Sequence, residues 1–88
     1  MKFEYDSNKS ITNRQKHGVD FEEAKTIWNT DNVILRALSI DEDRYMIIGE
    51  INGRLYSCIY TLRGEIVRII SCRRSRNREE KIYYEKIR

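Results

Sequence analysis

From Val33 to Arg74 apolar residues recur at every second position, and glycine alone punctuates the run, because the chain holds no proline. A period of two is the mark of strands that turn one face inward. Val33 to Leu38, Arg44 to Ile51, Arg54 to Leu62 and Glu65 to about Arg74 each read as a strand. Asn52-Gly53 joins the second to the third, and both residues tolerate the positive φ that a type I′ hairpin turn requires. Arg63-Gly64 turns the third into the fourth, and the acidic Asp41-Glu42-Asp43 forms a loop between the first two. Four strands linked this closely make an antiparallel meander. The last of them is apolar on both sides apart from Arg68, as expected of a central strand covered on both faces. Regular alternation puts Arg68 and Arg74 on one face, and Arg73 and Arg74 on opposite faces. A guanidinium inside such a run needs a partner, either a carboxylate such as Glu50 or Glu65 or a ligand phosphate.

The flanks follow other periods. Phe3 to Tyr5 reads as a short strand, and Asp6 caps a helix that runs to about His17 and stops at Gly18. Asp20-x-x-Glu23 has the form of a capping box, with Val19 and Ala24 placed as a hydrophobic staple. Phe21, Ala24, Ile27 and Trp28 then form one apolar stripe, which predicts a second helix from Phe21 to Asn29. Asn77-x-x-Glu80 opens a last helix on which Tyr83 and Ile87 share a face. The expected fold is α+β, an antiparallel β-sheet meander with two N-terminal helices and a C-terminal helix, in a single domain over residues 1–88. At 88 residues the chain buries one modest core, so any active site is shallow and suited to a polymer. No apolar run reaches the roughly 20 residues of a membrane helix and the N-terminus lacks the stretch of a secretion signal, so a cytoplasmic protein is expected. Cys58 and Cys72 sit in apolar runs and read as reduced core residues.

Charge narrows the chemistry. The formal net charge is +3, but Ser71 to Arg88 carries seven basic residues (Arg73, Arg74, Arg76, Arg78, Lys81, Lys86, Arg88) against three acids, and the remainder is slightly acidic. A cationic patch of this kind suits a polyanion, although a solvated helix face has the same composition. With one histidine, no Cys-x-x-Cys and an acidic cluster without calcium-loop spacing, no metal or cofactor is expected. Serine and cysteine nucleophile schemes lack a motif around His17. Arginines, lysines, tyrosines and a glutamate suffice to cleave RNA, whose 2′-hydroxyl is an internal nucleophile. The alternative is a non-catalytic nucleic-acid-binding module, either RNA-binding or a helix-turn-helix made of the first two helices. Asp20, Glu22, Glu23 and Asp31 around the second helix oppose the latter.

Phe3-Glu4-Tyr5-Asp6, Lys9, Asn13, Lys16-His17-Gly18-Val19 and Phe21-Glu22-Glu23-Ala24 resemble the opening of BrnT-type toxins, the ribonuclease component of bacterial type II toxin–antitoxin pairs. Arg44-Tyr45 leading to Gly49, Tyr60-Thr61-Leu62-Arg63-Gly64, Arg68 to Arg74, Glu79 and Tyr84-Glu85 resemble that family's later motifs in the same order. Leu62 stands where an acidic residue is common, and Cys72 where alanine is usual. The resemblance implies a RelE-like fold and an endoribonuclease that stops translation. It also implies a ribbon-helix-helix antitoxin, expected in a heterotetramer, through which alone operator DNA is bound.

Site residues follow from both arguments. The resemblance favours Arg63, which precedes a turn glycine at a sheet end, as a phosphate contact. Arg74 is preferred to Arg73 as the contact to the scissile phosphate because it is expected to share the face of Arg68. Glu79 is a candidate base or an arginine-orienting group, set against an ordinary first-turn acid. Tyr84 is a candidate proton carrier and Tyr83 a base-stacking residue, although aromatic residues on a final helix are more often core. Lys16, His17, Arg68, Arg73 and Arg76 complete the expected RNA-binding set, with Lys16 and His17 also well placed to offset a helix dipole. Trp28 reads as packing.

Overall fold

The computed structural model describes residues 1–40 and 42–87, so the expectations placed on Asp41 and Arg88 lie outside the described residues. The order is β1 (Lys2–Glu4), α1 (Ser7–His17), α2 (Phe21–Ala24), a 3-10 segment (Lys25–Asn29), β2 (Asn32–Ala37), β3 (Arg44–Ile51), β4 (Arg54–Arg63), β5 (Ile66–Arg74) and α3 (Asn77–Ile87). β2 to β5 form the expected antiparallel meander. The sheet as a whole is mixed: its order is β1-β5-β4-β3-β2, and β1 pairs parallel to β5, with Lys2 to Glu4 opposite Ile66 to Arg68. The purely antiparallel expectation fails because β1 adds to the outer edge of β5, from which α1, α2 and three strands separate it in sequence, so no tight turn imposes an antiparallel pairing.

Local signals act as their chemistry requires. The Asp6 carboxylate accepts from the Asn8 and Lys9 amides at the start of α1, and Gly18 closes it with φ +82°. Asn52 and Gly53 both have positive φ, as the tight β3–β4 turn demands. The Asp20–Glu23 capping box forms, but α2 is one turn long and tightens into the 3-10 segment, which corrects the continuous helix over Phe21–Asn29. That segment presses on Gly49 of β3: a Cβ there would lie 2.8 Å from Ile27 Cγ2.

The two sheet faces are covered unequally. On one, α1, α2 and the 3-10 segment bury Phe21, Ala24 and Ile27 against Ile47, Cys58, Tyr60, Ile69 and Cys72. Trp28 packs edge-on to Phe3 and Tyr60 at 5.2 Å, as a packing residue should. On the other, α3 closes Tyr83 over Val33, Ile48 and Leu55, next to β2 and β3. The part of that second face formed by β4, β5 and β1 carries half-exposed Ile59, Ser71, Arg68 and Glu4. Cys58 and Cys72 are register partners, both free and fully buried. Burial, with the hydrogen bond to Cys72, pushes the Cys58 thiol well above its ordinary pKa, so it is no nucleophile.

Candidate functional site

The open face is set by a break in strand register. β4 and β5 pair regularly from Tyr56–Arg74 to Ile59–Ser71, then resume as Tyr60–Ile69, which leaves Ile70 as an extra residue. A β-bulge of this kind shifts alternation by one position. Arg68 therefore shares the face of Arg73 and lies opposite Arg74, the reverse of what regular alternation predicts. Arg74 stands over the Tyr56 ring at 5.9 Å, on the side that carries the α1 core.

One row of register partners crosses the open face: Arg44 on β3, Thr61 on β4, Arg68 on β5 and Glu4 on β1. Arg68 donates to the Glu4 carboxylate at 2.6 Å, and the more exposed Arg63 guanidinium lies 3.8 Å from the same oxygen. Glu4 therefore replaces the expected partners Glu50 and Glu65. Thr61 donates to the Asp43 carbonyl. The Arg44 Nε is buried without a hydrogen-bond partner among the described residues, with a Glu42 oxygen at 3.5 Å. Glu4 and Arg44 were not among the candidates drawn from sequence, since only strand register brings them beside Arg68.

A second cluster ties α3 to the sheet. Glu79 accepts two hydrogen bonds from Arg73, both at 2.8 Å, one from Ser57 Oγ and one from the Arg76 amide. Arg73, followed by the other donors, holds the Glu79 carboxyl at a pKa of about 2 against its burial, while Glu79 raises that of Arg73. A carboxylate so engaged is a poor proton acceptor at neutral pH, and in the fold it fixes the Arg73 guanidinium. Tyr83 is a core residue, and burial raises its pKa; Tyr84 is half exposed and meets it edge-on at 5.4 Å. Arg76 is exposed just before α3. Lys16 and His17 lie at the C-terminal end of α1, in a recess beyond the β5 edge rather than on the open face. The site thus gathers Arg63, Arg68, Glu4 and Arg44, with Arg73 and Glu79 beside them.

Asn13 is what fixes α1 against that edge. Its carboxamide accepts from the Cys72 amide at 3.1 Å and donates to the Cys72 and Val19 carbonyls at 2.7 and 2.8 Å. The helix-turn-helix reading loses its second helix: α2 has four residues, and Phe21 and Ala24 are buried under the sheet.

Arginines spread over an open sheet face in a small α+β fold are an arrangement whose charge suits a polyanion. The family model described as ribonuclease toxin, BrnT, of type II toxin-antitoxin system matches residues 5–79, and the chain belongs to that family. It is thus a type II toxin, of a family named for ribonuclease activity and paired with an antitoxin. No individual curated protein matches it. The matched span takes in Arg44, Arg63, Arg68, Arg73, Arg74 and Glu79; Glu4, Tyr83 and Tyr84 fall outside it.

Proposed function

We propose that the protein is a metal-independent endoribonuclease that cleaves RNA on the open sheet face, so stopping translation in the cytoplasm. The observation that carries this reading is the Glu4 carboxylate between the Arg63 and Arg68 guanidinium groups on an uncovered surface. RNA supplies its own nucleophile, so the protein has three tasks: to position the phosphate, to accept a proton and to stabilise added charge. The 2′-hydroxyl oxygen attacks the adjacent phosphorus while its proton passes to Glu4, whose Oε2 alone accepts from Arg68, in contrast to Glu79 with both oxygens engaged. The bond from phosphorus to the 5′-oxygen breaks, that oxygen takes a proton from water, and the hydroxide left takes back the proton held by Glu4. The products are a 2′,3′-cyclic phosphate and a 5′-hydroxyl. Arg63 and Arg68 meet the charge that grows on the phosphate oxygens. Arg73, clamped by Glu79, positions α3, and Arg76 and Arg78 at its start add non-specific attraction for the backbone.

The partner in this reading is a ribbon-helix-helix antitoxin, which covers the cationic face and carries the complex to operator DNA. The test is RNA cleavage by the toxin freed of its antitoxin, with EDTA present, and analysis of the ends produced. Cyclic phosphate ends in EDTA are expected. Activity lost on chelation and restored by Mg²⁺ overturns the metal-free scheme, and RNA binding without cleavage, with or without ribosomes, favours a non-catalytic module.

A further inference from the structure

Beyond the open face, α1 and the outer edge of β5 enclose a recess of about 310 Å³. β1 covers that edge only from Ile66 to Arg68, and Asn13 seals it at Cys72. Between them the bulge residue Ile70 and its neighbour Ser71 line the recess. Lys9, Thr12 and Lys16 fall three and seven positions apart on α1, hence on one helix face, and line its other wall with His17. No acidic side chain among the described residues lines it, whereas Arg44, Arg63, Arg68 and Arg73 each have a carboxylate within 4 Å.

The recess adjoins the proposed site. Ser71 lies in the row between those of Arg68 and Arg73, so it belongs to the border of the open face as well as to the recess wall. A strand of RNA that leaves Arg68 across the β5 edge meets the recess after this one row. The lining suits a nucleotide: an aliphatic floor for a base, a hydroxyl for its edge, and ammonium groups for phosphate. The C-terminal end of α1 presents carbonyl groups here, so binding of phosphate falls to the lysine side chains and not to the backbone.

We propose that this recess holds a nucleotide of the RNA strand flanking the cleaved position, with Lys9 and Lys16 on its phosphates, Ile70 beneath its base and Thr12 at the base edge. It thereby sets the sequence preference of cleavage. The proposal rests on the RNA-cleaving reading above.

Two measurements on the antitoxin-free protein test it. The first is the salt dependence of binding to a short RNA carrying 2′-O-methyl groups, which 2′-hydroxyl attack cannot cut. Lys9→Ala and Lys16→Ala should each reduce the slope of log K against log salt by about 0.7, the value for one phosphate contact on a single strand. Arg54→Ala, at the exposed β3–β4 turn, should keep the wild-type slope. The second is sequencing of the ends cut from a random RNA pool, where Thr12→Val should relax the preference at one flanking position. Wild-type slopes in both lysine variants, with an unchanged cut preference in Thr12→Val, overturn the recess proposal even if the protein cleaves RNA. A wild-type protein that binds with the lysine-dependent slope yet cuts nothing leaves RNA contact at the recess standing, but removes the ribonuclease reading and with it the role in cut preference.

Discussion

Arg68 and Arg73 share one face of β5 although an odd number of positions separates them, because Ile70 has no register partner on β4. The bulge turns Arg68 toward Glu4 and Arg63 while Arg73 keeps its place against Glu79. Without that extra residue, one of these arginines would point into the core beneath α1. The placement of the site is therefore a property of strand register more than of composition.

Glu79 makes stability depend on acid. Its carboxyl titrates at about 2 in the folded protein against 4.5 for a free glutamate, so folding gains from it fully above about pH 4.5 and loses that gain as pH falls through about 2. The difference corresponds to about 3–4 kcal/mol at most, and solvent screening at this partly exposed site lowers it. Glu79→Gln should therefore lower Tm at neutral pH, and its gap from wild type should narrow between about pH 4.5 and pH 2. Thermal melts of both proteins across this range measure it; a gap that does not change with pH contradicts the assignment.

Asn13→Ala leaves the Cys72 amide, the Cys72 carbonyl and the Val19 carbonyl without a partner in buried surroundings. Each buried group stranded in this way costs about 1–3 kcal/mol. Urea unfolding should show a loss of at least about 2 kcal/mol, more than a single exposed hydrogen bond provides. A midpoint shift within error of wild type would mean that α1 is not anchored through this carboxamide.

Gly49→Ala tests the packing of the 3-10 segment. The added methyl must displace Ile27 or the backbone at Asp31, whose carbonyl lies 3.3 Å from the Cβ position. Overpacking of this kind costs about 1–3 kcal/mol. Combining it with Ile27→Ala, which removes the contacting Cγ2, should cost less in chemical denaturation than the sum of the two single losses.

The turns and most caps were legible because each rests on one or two residues acting locally, while the cap of α3 falls one residue earlier than expected, at Arg76, whose amide donates to Glu79. Asp6, Gly18, the Asp20–Glu23 box and Asn52-Gly53 all do what their side chains or φ angles dictate. The four-strand meander was legible for the same reason. What stayed hidden depends on distant pairing. The three residues of β1 give no sign of pairing parallel to β5, so the Glu4–Arg68 contact could not be drawn from spacing. Nothing in Ile69-Ile70 marks a bulge, and regular alternation consequently chose Arg74 over Arg73 as the companion of Arg68. Arg63 required only its position at the end of a strand, and its guanidinium lies 3.8 Å from the Glu4 carboxylate.

The account's central claim is that cleavage occurs beside Glu4 on the open face, and single-turnover RNA cleavage at saturating protein tests it most directly. Arg63→Ala and Arg68→Ala should each slow the chemical step by about 10²–10³, the usual loss when a group that meets transition-state charge is removed. Each should still melt cooperatively and bind the antitoxin. Arg74→Ala, on the opposite face, and Arg76→Ala, in the basic approach to α3, should cleave at nearly the wild-type saturated rate, with any weakening confined to RNA affinity and removed by salt. If Arg74→Ala abolishes the saturated rate while Arg63→Ala and Arg68→Ala keep it, the reaction takes place on the other face and the account is wrong.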